Sequence, residues 1–410
     1  RKQPKSSLGC AMTGETENVR VVVRLRPLNK REIAAGDQEA VKVVSGNTLQ
    51  IVDPKTSTGL NQTRGLAYTF YATIGPESGQ EQVFESSGVQ KLLSHVMRGF
   101  SATVFAYGPT GSGKTFSIAG SAALESSRLT RGPNDGMIAR CVDSLFASIQ
   151  AEAENLQVVV RVSCMEIYNE QITDLLSKKA ASLPVRFDPR RNAFYVDRLA
   201  KLRCETADDV LAAFHRGIMV RRVAAHQLNR DSSRSHCLLT LYVDSISNDT
   251  GMAVTRHGKI SFCDLAGSER LKETKSEGVT LAETGHINKS LFTLGKVISS
   301  LCDRRSVKVP YRDSKLTQLL MDSVGGKSLT IMLACITPSS AYLNETIRTL
   351  DYAARAKNIR NKPVVLLDPQ ESIVHALKRE IANLREENLR LKAALSSPGS
   401  TPPNWSEDAL

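Results

Sequence analysis

Residues 102–115 read Ala102-Thr-Val-Phe-Ala-Tyr-Gly-Pro-Thr-Gly-Ser-Gly-Lys-Thr115. Ala102–Tyr107 is an apolar run of strand length. It passes directly into Gly108, Pro109, Thr110, Gly111, Ser112, Gly113, Lys114 and Thr115, which match G-x-x-x-x-G-K-[ST], and a new helix follows. This strand–loop–helix setting is the one in which the pattern has a mechanism. The glycines let backbone N–H groups wrap phosphate oxygens, and Lys114 brings a point charge to the β- and γ-phosphates. The Thr115 hydroxyl can ligate Mg²⁺, and the helix N-terminus adds a favourable dipole.

Outward from this loop, strands and helices alternate. Strand candidates are Val19–Arg26, Val41–Ile51, Tyr68–Phe70, Val158–Tyr168, Cys237–Ile246, Lys259–Cys263 and Leu329–Ile336. Helical spacing covers Glu81–Arg98, Met137–Ala153, Thr206–Arg222, Asn288–Leu301, Lys315–Ser323 and Glu345–Lys357. The alternation predicts an α/β fold of the P-loop NTPase kind, a central β-sheet flanked by helices on both faces. A P-loop also needs a second carboxylate for the metal. Ile260-Ser-Phe-Cys-Asp264 ends a strand in Asp, and the Gly267 N–H that follows is expected to be free to sense a γ-phosphate. An Asp at a strand end is, alone, equally a turn residue. The polar run Asn229-Arg-Asp-Ser-Ser-Arg-Ser-His236 is, alone, equally a solvated loop.

The 410 residues are 41% hydrophobic and 23% charged, enough for a large core. Lys and Arg outnumber Asp and Glu by 54 to 42, and the net charge of +12 suits an anionic partner. Charge does not choose between nucleic acid, an anionic membrane and an acidic protein surface. Eight scattered cysteines without a C-x-x-C pair, and seven histidines without ligand-like spacing to them, read as reduced buried thiols rather than a zinc site. No apolar run approaches the ~18 residues of a membrane span, and no secretory signal is visible. The chain begins at Arg1, which reads as a piece of a longer protein.

Taken together, three motifs resemble the kinesin family: G-x-T-G-S-G-K-T at 108–115, N-x-x-S-S-R-S-H at 229–236 (switch I) and D-L-A-G-S-E at 264–269 (switch II). Arg24-Leu-Arg-Pro27 and Val309-Pro-Tyr-Arg-Asp-Ser-Lys-Leu-Thr317 agree, and the similarity runs from about Val19 to Lys362. The resemblance implies a microtubule-stimulated ATPase of the cytoplasm and cytoskeleton that uses ATP and Mg²⁺. It implies that Arg24, Pro27 and Phe116 flank the adenine, while Lys114, Thr115 and the loop amides hold phosphates and metal. Ser233 would complete the metal shell, with Asp264 acting through water. Asn229 and Ser232 would approach the γ-phosphate, with Gly267 as its sensor. Arg234 and Glu269 would pair to close both switches around the attacking water. The sequence departs from the family at Pro109 (usually Gln, and without an N–H), Tyr71 (usually Asp), His226 (commonly Thr), Gln318 (commonly Arg) and Leu366 (commonly a latching Asn).

The same resemblance implies tubulin contacts from Lys289 and Lys296, seven apart on one helix face, and from Arg312 and Lys315. Lys178, Lys179, Arg186, Arg190 and Arg191 could add a second patch. Residues 1–18 read as a loose tail and 19–358 as the motor domain. Residues 359–368 read as a neck linker, placed as in plus-end-directed members, 369–395 as a neck helix and 396–410 as a disordered tail. Val374, Leu377, Ile381, Leu384, Asn388, Leu391 and Leu395 form a heptad seam. Glu380 would face Arg385, and Glu387 would face Lys392, across a parallel homodimer through 374–395. A single amphipathic helix packed on the head is the other reading. A GTPase would need N-K-x-D, and Asn288-Lys-Ser-Leu291 lacks the Asp. A microtubule-end regulator stays open as an alternative, whereas direct DNA binding has no dedicated motif.

Overall fold

The computed structural model describes residues 15–52, 66–121, 131–154, 156–177, 182–189, 191–227, 232–247, 254–269, 279–303, 308–366, 381 and 383–392. In chain order the strands are β1 (Glu17–Asn18), β2 (Arg20–Leu25), β3 (Val41–Ser45), β4 (Thr48–Ile51), β5 (Ala67–Thr69), β6 (Ala72–Ile74), β7 (Ser101–Tyr107), β8 (Leu156–Tyr168), β9 (Gln171–Asp174), β10 (Val185–Asp188), β11 (Ala193–Val196), β12 (Leu202–Cys204), β13 (His236–Ser247), β14 (Val254–Asp264), β15 (Ser328–Ile336) and β16 (Arg360–Asn361). The helices are α1 (Lys30–Ala34), α2 (Gln80–Ser87), α3 (Val89–Met97), α4 (Lys114–Ala119), α5 (Met137–Ala151), α6 (Ala207–Gln227), α7 (Val279–Cys302), α8 (Lys315–Leu319) and α9 (Leu343–Ala356).

The main sheet runs β12-β8-β13-β14-β7-β15-β2-β6, with β9 paired to β8. Its β14-β7-β15-β2-β6 half is parallel, and β12-β8-β13-β14 is antiparallel. β7 and β15 are buried along their whole length, which is why both read as unbroken apolar runs rather than alternating ones. Side chains of α2, α3, α5 and α6 fill a core on one face; those of α7, α8 and α9 fill a second core on the other. The sheet therefore presents the C-terminal end of β7 beside those of β14 and β15, the edge at which α/β sheets hold ligands.

Two local readings change. The helical spacing of Glu81–Arg98 is carried by two helices, because Gly88 takes a left-handed φ of 74° and ends α2 before α3 begins. Side-chain periodicity passes through this break undisturbed. Val41–Ile51 is a hairpin, β3 and β4, turned at Gly46-Asn47. The last residues of the expected N-terminal tail also pair: β1 is antiparallel to β16. Among the described residues no helix is long and apolar enough to cross a membrane. The seven described cysteines are free thiols, six of them buried.

Candidate nucleotide site and switch region

The loop after β7 is built around backbone shapes that only glycine adopts without strain. Gly108, Gly111 and Gly113 have φ of 152°, 75° and 96°. A Cβ on Gly108 would lie 2.1 Å from the Cys335 carbonyl oxygen, so the loop must rest directly on β15. Lys114 is 7% exposed, and its ammonium donates to the carbonyls of Gly108 and Pro109, both at 2.9 Å. Burial lowers its pKa, opposed by the nearby Asp264 carboxylate. Pro109 lacks an N–H, but its carbonyl also accepts from the Ser112 N–H at 3.2 Å, so the loop closes without the missing donor.

Asp264, at the end of β14, is 6% exposed and accepts from the Thr115 hydroxyl at 2.7 Å through Oδ2. Its other oxygen, Oδ1, has no hydrogen-bond partner among the described residues. A buried unpaired carboxylate oxygen next to a hydroxyl is a hard-oxygen donor set of the kind Mg²⁺ prefers. The fit therefore holds for Thr115 and Asp264. Ser233 stands close in the fold, since its carbonyl accepts from the Gly267 N–H at 2.8 Å. That bond corrects one expectation: the Gly267 N–H is engaged by switch I backbone and is not free.

Glu269 differs as well. Its carboxylate accepts from the Thr110 N–H at 2.8 Å and from the Thr110 hydroxyl. Among the described residues Arg234 and Glu269 form no ion pair; the carboxylate is held by the P-loop instead. Arg24 lies behind the site rather than open to it. Its guanidinium is buried, donates to Gln80 at 2.8 Å and Ser117 at 2.7 Å, and sits 5.3 Å from the Phe116 ring centroid. Burial lowers its pKa. The neighbouring Arg26 reaches the loop, donating to the Gly111 carbonyl at 2.7 Å while paired with Glu32 at 2.6 Å. Asn229 lies outside the described residues, as do Lys178, Lys179 and Arg190. Ser232 opens the short 3-10 turn Ser232–Arg234.

Sequence reasoning missed a buried charged network behind switch I. Arg221 on α6 meets Glu166 on β8 at 3.2 Å, the Ser235 hydroxyl at 3.0 Å and Asp264 Oδ2 at 3.6 Å. Ser235 donates to Glu166 at 2.6 Å. The trace in the sequence is a glutamate inside the apolar end of β8, Cys164-Met-Glu-Ile-Tyr168. His236 was also missed: Nδ1 accepts from the Ala266 N–H at 2.9 Å, and Nε2 lies 2.7 Å from the Ser290 hydroxyl on α7. Burial, with Arg221 and Lys114 nearby, pushes its pKa down to about 3, so the ring is neutral.

The geometry has known counterparts. A sequence profile described as "Kinesin motor domain" matches residues 24–359. The chain belongs to the kinesin motor-domain family. That family hydrolyses ATP. The human "Chromosome-associated kinesin KIF4A" is 39% identical over 370 residues, 90% of this chain and 29% of that protein. The Arabidopsis thaliana "Kinesin-like protein KIN-12E" is 39% identical over 384 residues, 92% and 29% respectively. The mouse "Kinesin-like protein KIF12" is 36% identical over 410 residues, 98% and 61%. This chain thus spans less than two thirds of each of these relatives. A solved structure titled "Structure of a fast kinesin: Implications for ATPase mechanism and interactions with microtubules" aligns with a TM-score of 0.77 at 36% identity, covering 86% of this chain and 94% of that one.

On α7 of this kinesin motor domain, Lys289, Phe292 and Lys296 share one exposed face. Phe292 is 63% exposed, with the Lys296 ammonium 4.7 Å from its ring centroid. Arg312 stands over Phe187 and Phe194, at 5.7 and 5.8 Å, on the β10–β11 hairpin that also carries Arg186 and Arg191. Two regions treated as separate patches in the sequence therefore adjoin. Arg186 and Arg191 are partly offset by Asp197 at 2.8 Å and Asp188 at 3.9 Å. The Lys315 N–H donates to Glu170 at 2.7 Å, and Gln318 donates to the Arg312 carbonyl at 3.1 Å.

The segment after α9 lies along the core. Asn361 is buried; its amide donates to the Ser323 and Ser328 carbonyls at 2.9 and 2.6 Å and accepts from the Gly325 N–H at 2.8 Å. Further on, the Leu366 N–H donates to the Gly99 carbonyl at 2.9 Å, and the Leu366 carbonyl accepts from the His257 N–H at 2.8 Å. Leu366 lacks an amide side chain, but its main chain makes both bonds.

Proposed function

We propose that this chain is the motor head of a microtubule-stimulated ATPase that moves toward the microtubule plus end. The observation that carries the reading is the Lys114–Thr115–Asp264 cluster, where the neighbouring strands β7 and β14 end: a caged ammonium, a hydroxyl and a carboxylate with one buried oxygen unpaired among the described residues. Thr115 and Asp264, with Ser233, would hold Mg²⁺, which when bound offsets charge on the β- and γ-phosphates of ATP. Lys114 and the loop amides orient the phosphates. The Phe116 ring, backed by Arg24, offers an apolar face to the adenine, with Pro27. Phosphoryl transfer needs positioning and charge stabilisation more than a strong base. In the closed site Glu269 exchanges Thr110 for Arg234, while Asn229, Ser232 and the Gly267 region approach the γ-phosphate. Closure therefore has to displace the Gly267–Ser233 and Glu269–Thr110 contacts.

The basic face formed by Lys289, Lys296, Arg312 and Lys315 would meet the acidic surface of tubulin, and residues 359–368 would act as the neck linker. Its position after the core supports plus-end direction, and the Leu366 main-chain bonds supply a docked state. Residues 383–392 are helical, with Leu384 and Leu391 exposed on either side of Asn388, which supports a parallel homodimer through 374–395. Such a protein works on the microtubule cytoskeleton of the cytoplasm. The test is ATP against GTP turnover with and without microtubules, followed by surface gliding on polarity-marked microtubules. Turnover that microtubules do not accelerate would sink the motor reading; turnover without gliding would point to an end regulator.

A further inference from the structure

We propose that His236 is a positioning residue that couples the nucleotide switches to the track-facing helix α7; the inference rests on the motor reading above. Three separate elements meet at this one ring. His236 opens β13, directly after the switch I turn Ser232–Arg234. Its Nδ1 takes the Ala266 N–H of switch II at 2.9 Å, and its Nε2 meets Ser290 of α7 at 2.7 Å. The next amide, Gly267 N–H, is held by the Ser233 carbonyl at 2.8 Å. Two consecutive switch II amides are therefore tied to residues 233–236, and one of the two ties continues into α7.

Hydrogen-bond chemistry fixes the direction of the relay. Nδ1 faces an N–H donor, so it carries no proton; the neutral ring then holds its proton on Nε2 and donates it to the Ser290 hydroxyl. A planar ring bonded on both edges cannot follow one partner without straining the other. Ser290 is 3% exposed and directly follows the exposed Lys289. Movement of the Ala266–Gly267 turn on nucleotide closure is thereby transmitted to the helix that presents Lys289, Phe292 and Lys296. By linkage, track binding at that face is transmitted back to the switches. A histidine that merely satisfied a core would need neither partner to belong to a moving element.

Four chains decide it: the unaltered protein, Ser290→Ala, His236→Gln and their double variant. The readouts are basal ATPase, kcat at saturating microtubules, the half-saturating microtubule concentration and the thermal midpoint. Ser290→Ala leaves the switch contacts of His236 in place. It should keep basal turnover within about twofold and lower microtubule-stimulated kcat about fivefold or more, the scale of a typical coupling between sites. His236→Gln should lose stimulation to a similar extent, and the double variant should lose little more than either single one. Full stimulation in Ser290→Ala overturns the inference. So does a fall in midpoint with the stimulation ratio unchanged, or losses that multiply in the double variant. Absence of stimulation in the unaltered protein would overturn the motor reading and this inference with it, and only that outcome is visible without any substitution.

Discussion

Acidification isolates His236 in a way that ordinary stability measurements do not. An unfolded histidine titrates near 6.5; in the fold, burial together with Arg221 and Lys114 pushes His236 down to about 3. Between those values the unfolded chain binds a proton that the folded chain refuses. Stability therefore rises with pH across this window. The contribution is complete above about pH 6.5 and is lost progressively as pH falls toward about 3. At pH 5.0 the unfolded group is almost fully protonated and the folded one almost fully neutral. About 1.5 pH units of the window have been crossed, which is about 2 kcal/mol. Other groups titrate over the same range, so the measurement is a difference. Urea unfolding followed by circular dichroism at pH 7.5 and 5.0 is compared for the unaltered chain and His236→Gln, which retains a donor and an acceptor but cannot take the proton. The unaltered chain should lose about 2 kcal/mol more than the variant on acidification. If both lose the same stability to within about 0.5 kcal/mol, the buried neutral imidazole is wrong, and the donor direction assigned to Ser290 falls with it.

Replacing Arg221 alone, as Arg221→Met, strands Glu166 and leaves Asp264 without its nearest cation. The expected cost is about 3–5 kcal/mol in urea unfolding, with much of it recovered in Arg221→Met/Glu166→Leu; a double variant no more stable than the single one would contradict the network. Thr115→Val keeps shape and removes the hydroxyl on Asp264, so ATP affinity measured by fluorescence titration should fall about tenfold or more with Mg²⁺ present and much less with chelator. Equal losses in the two conditions would remove Thr115 from the metal site. Leu366→Pro deletes the N–H given to Gly99, a bond worth about 0.5–1.5 kcal/mol. Gliding should slow severalfold while microtubule-stimulated ATPase persists, and unchanged velocity would show that the main-chain latch is dispensable. Leu384→Glu with Leu391→Glu should abolish concentration-dependent association in sedimentation; if the unaltered chain sediments as a monomer throughout, the single-helix reading holds.

The P-loop was legible because its strand, glycine turns, lysine and hydroxyl are contiguous, so the pattern contains its own geometry. Asp264 was legible only together with the D-L-A-G-S-E run at 264–269, since an Asp at a strand end is alone equally a turn residue. The Glu166–Arg221–Ser235 network was not, since its members come from β8, α6 and the residue before β13, and only the sheet register brings them together. Gly88 escaped because the apolar positions on both sides of it keep a helical spacing, and a left-handed residue changes direction without changing that pattern. The misreading at Gly267 and the departure noted at Leu366 have a common physical origin. Both were judged by side chain: a glycine was taken to leave its amide available, and a leucine was noted where a latching Asn is common. In each case the main chain is the partner, through Gly267 N–H to Ser233 and through both polar groups of Leu366. Every residue except proline carries the same backbone donor and acceptor. Residue identity is therefore silent about which of these groups is engaged, and the answer comes from where the fold places the chain. At this site, that placement sets what nucleotide closure must break.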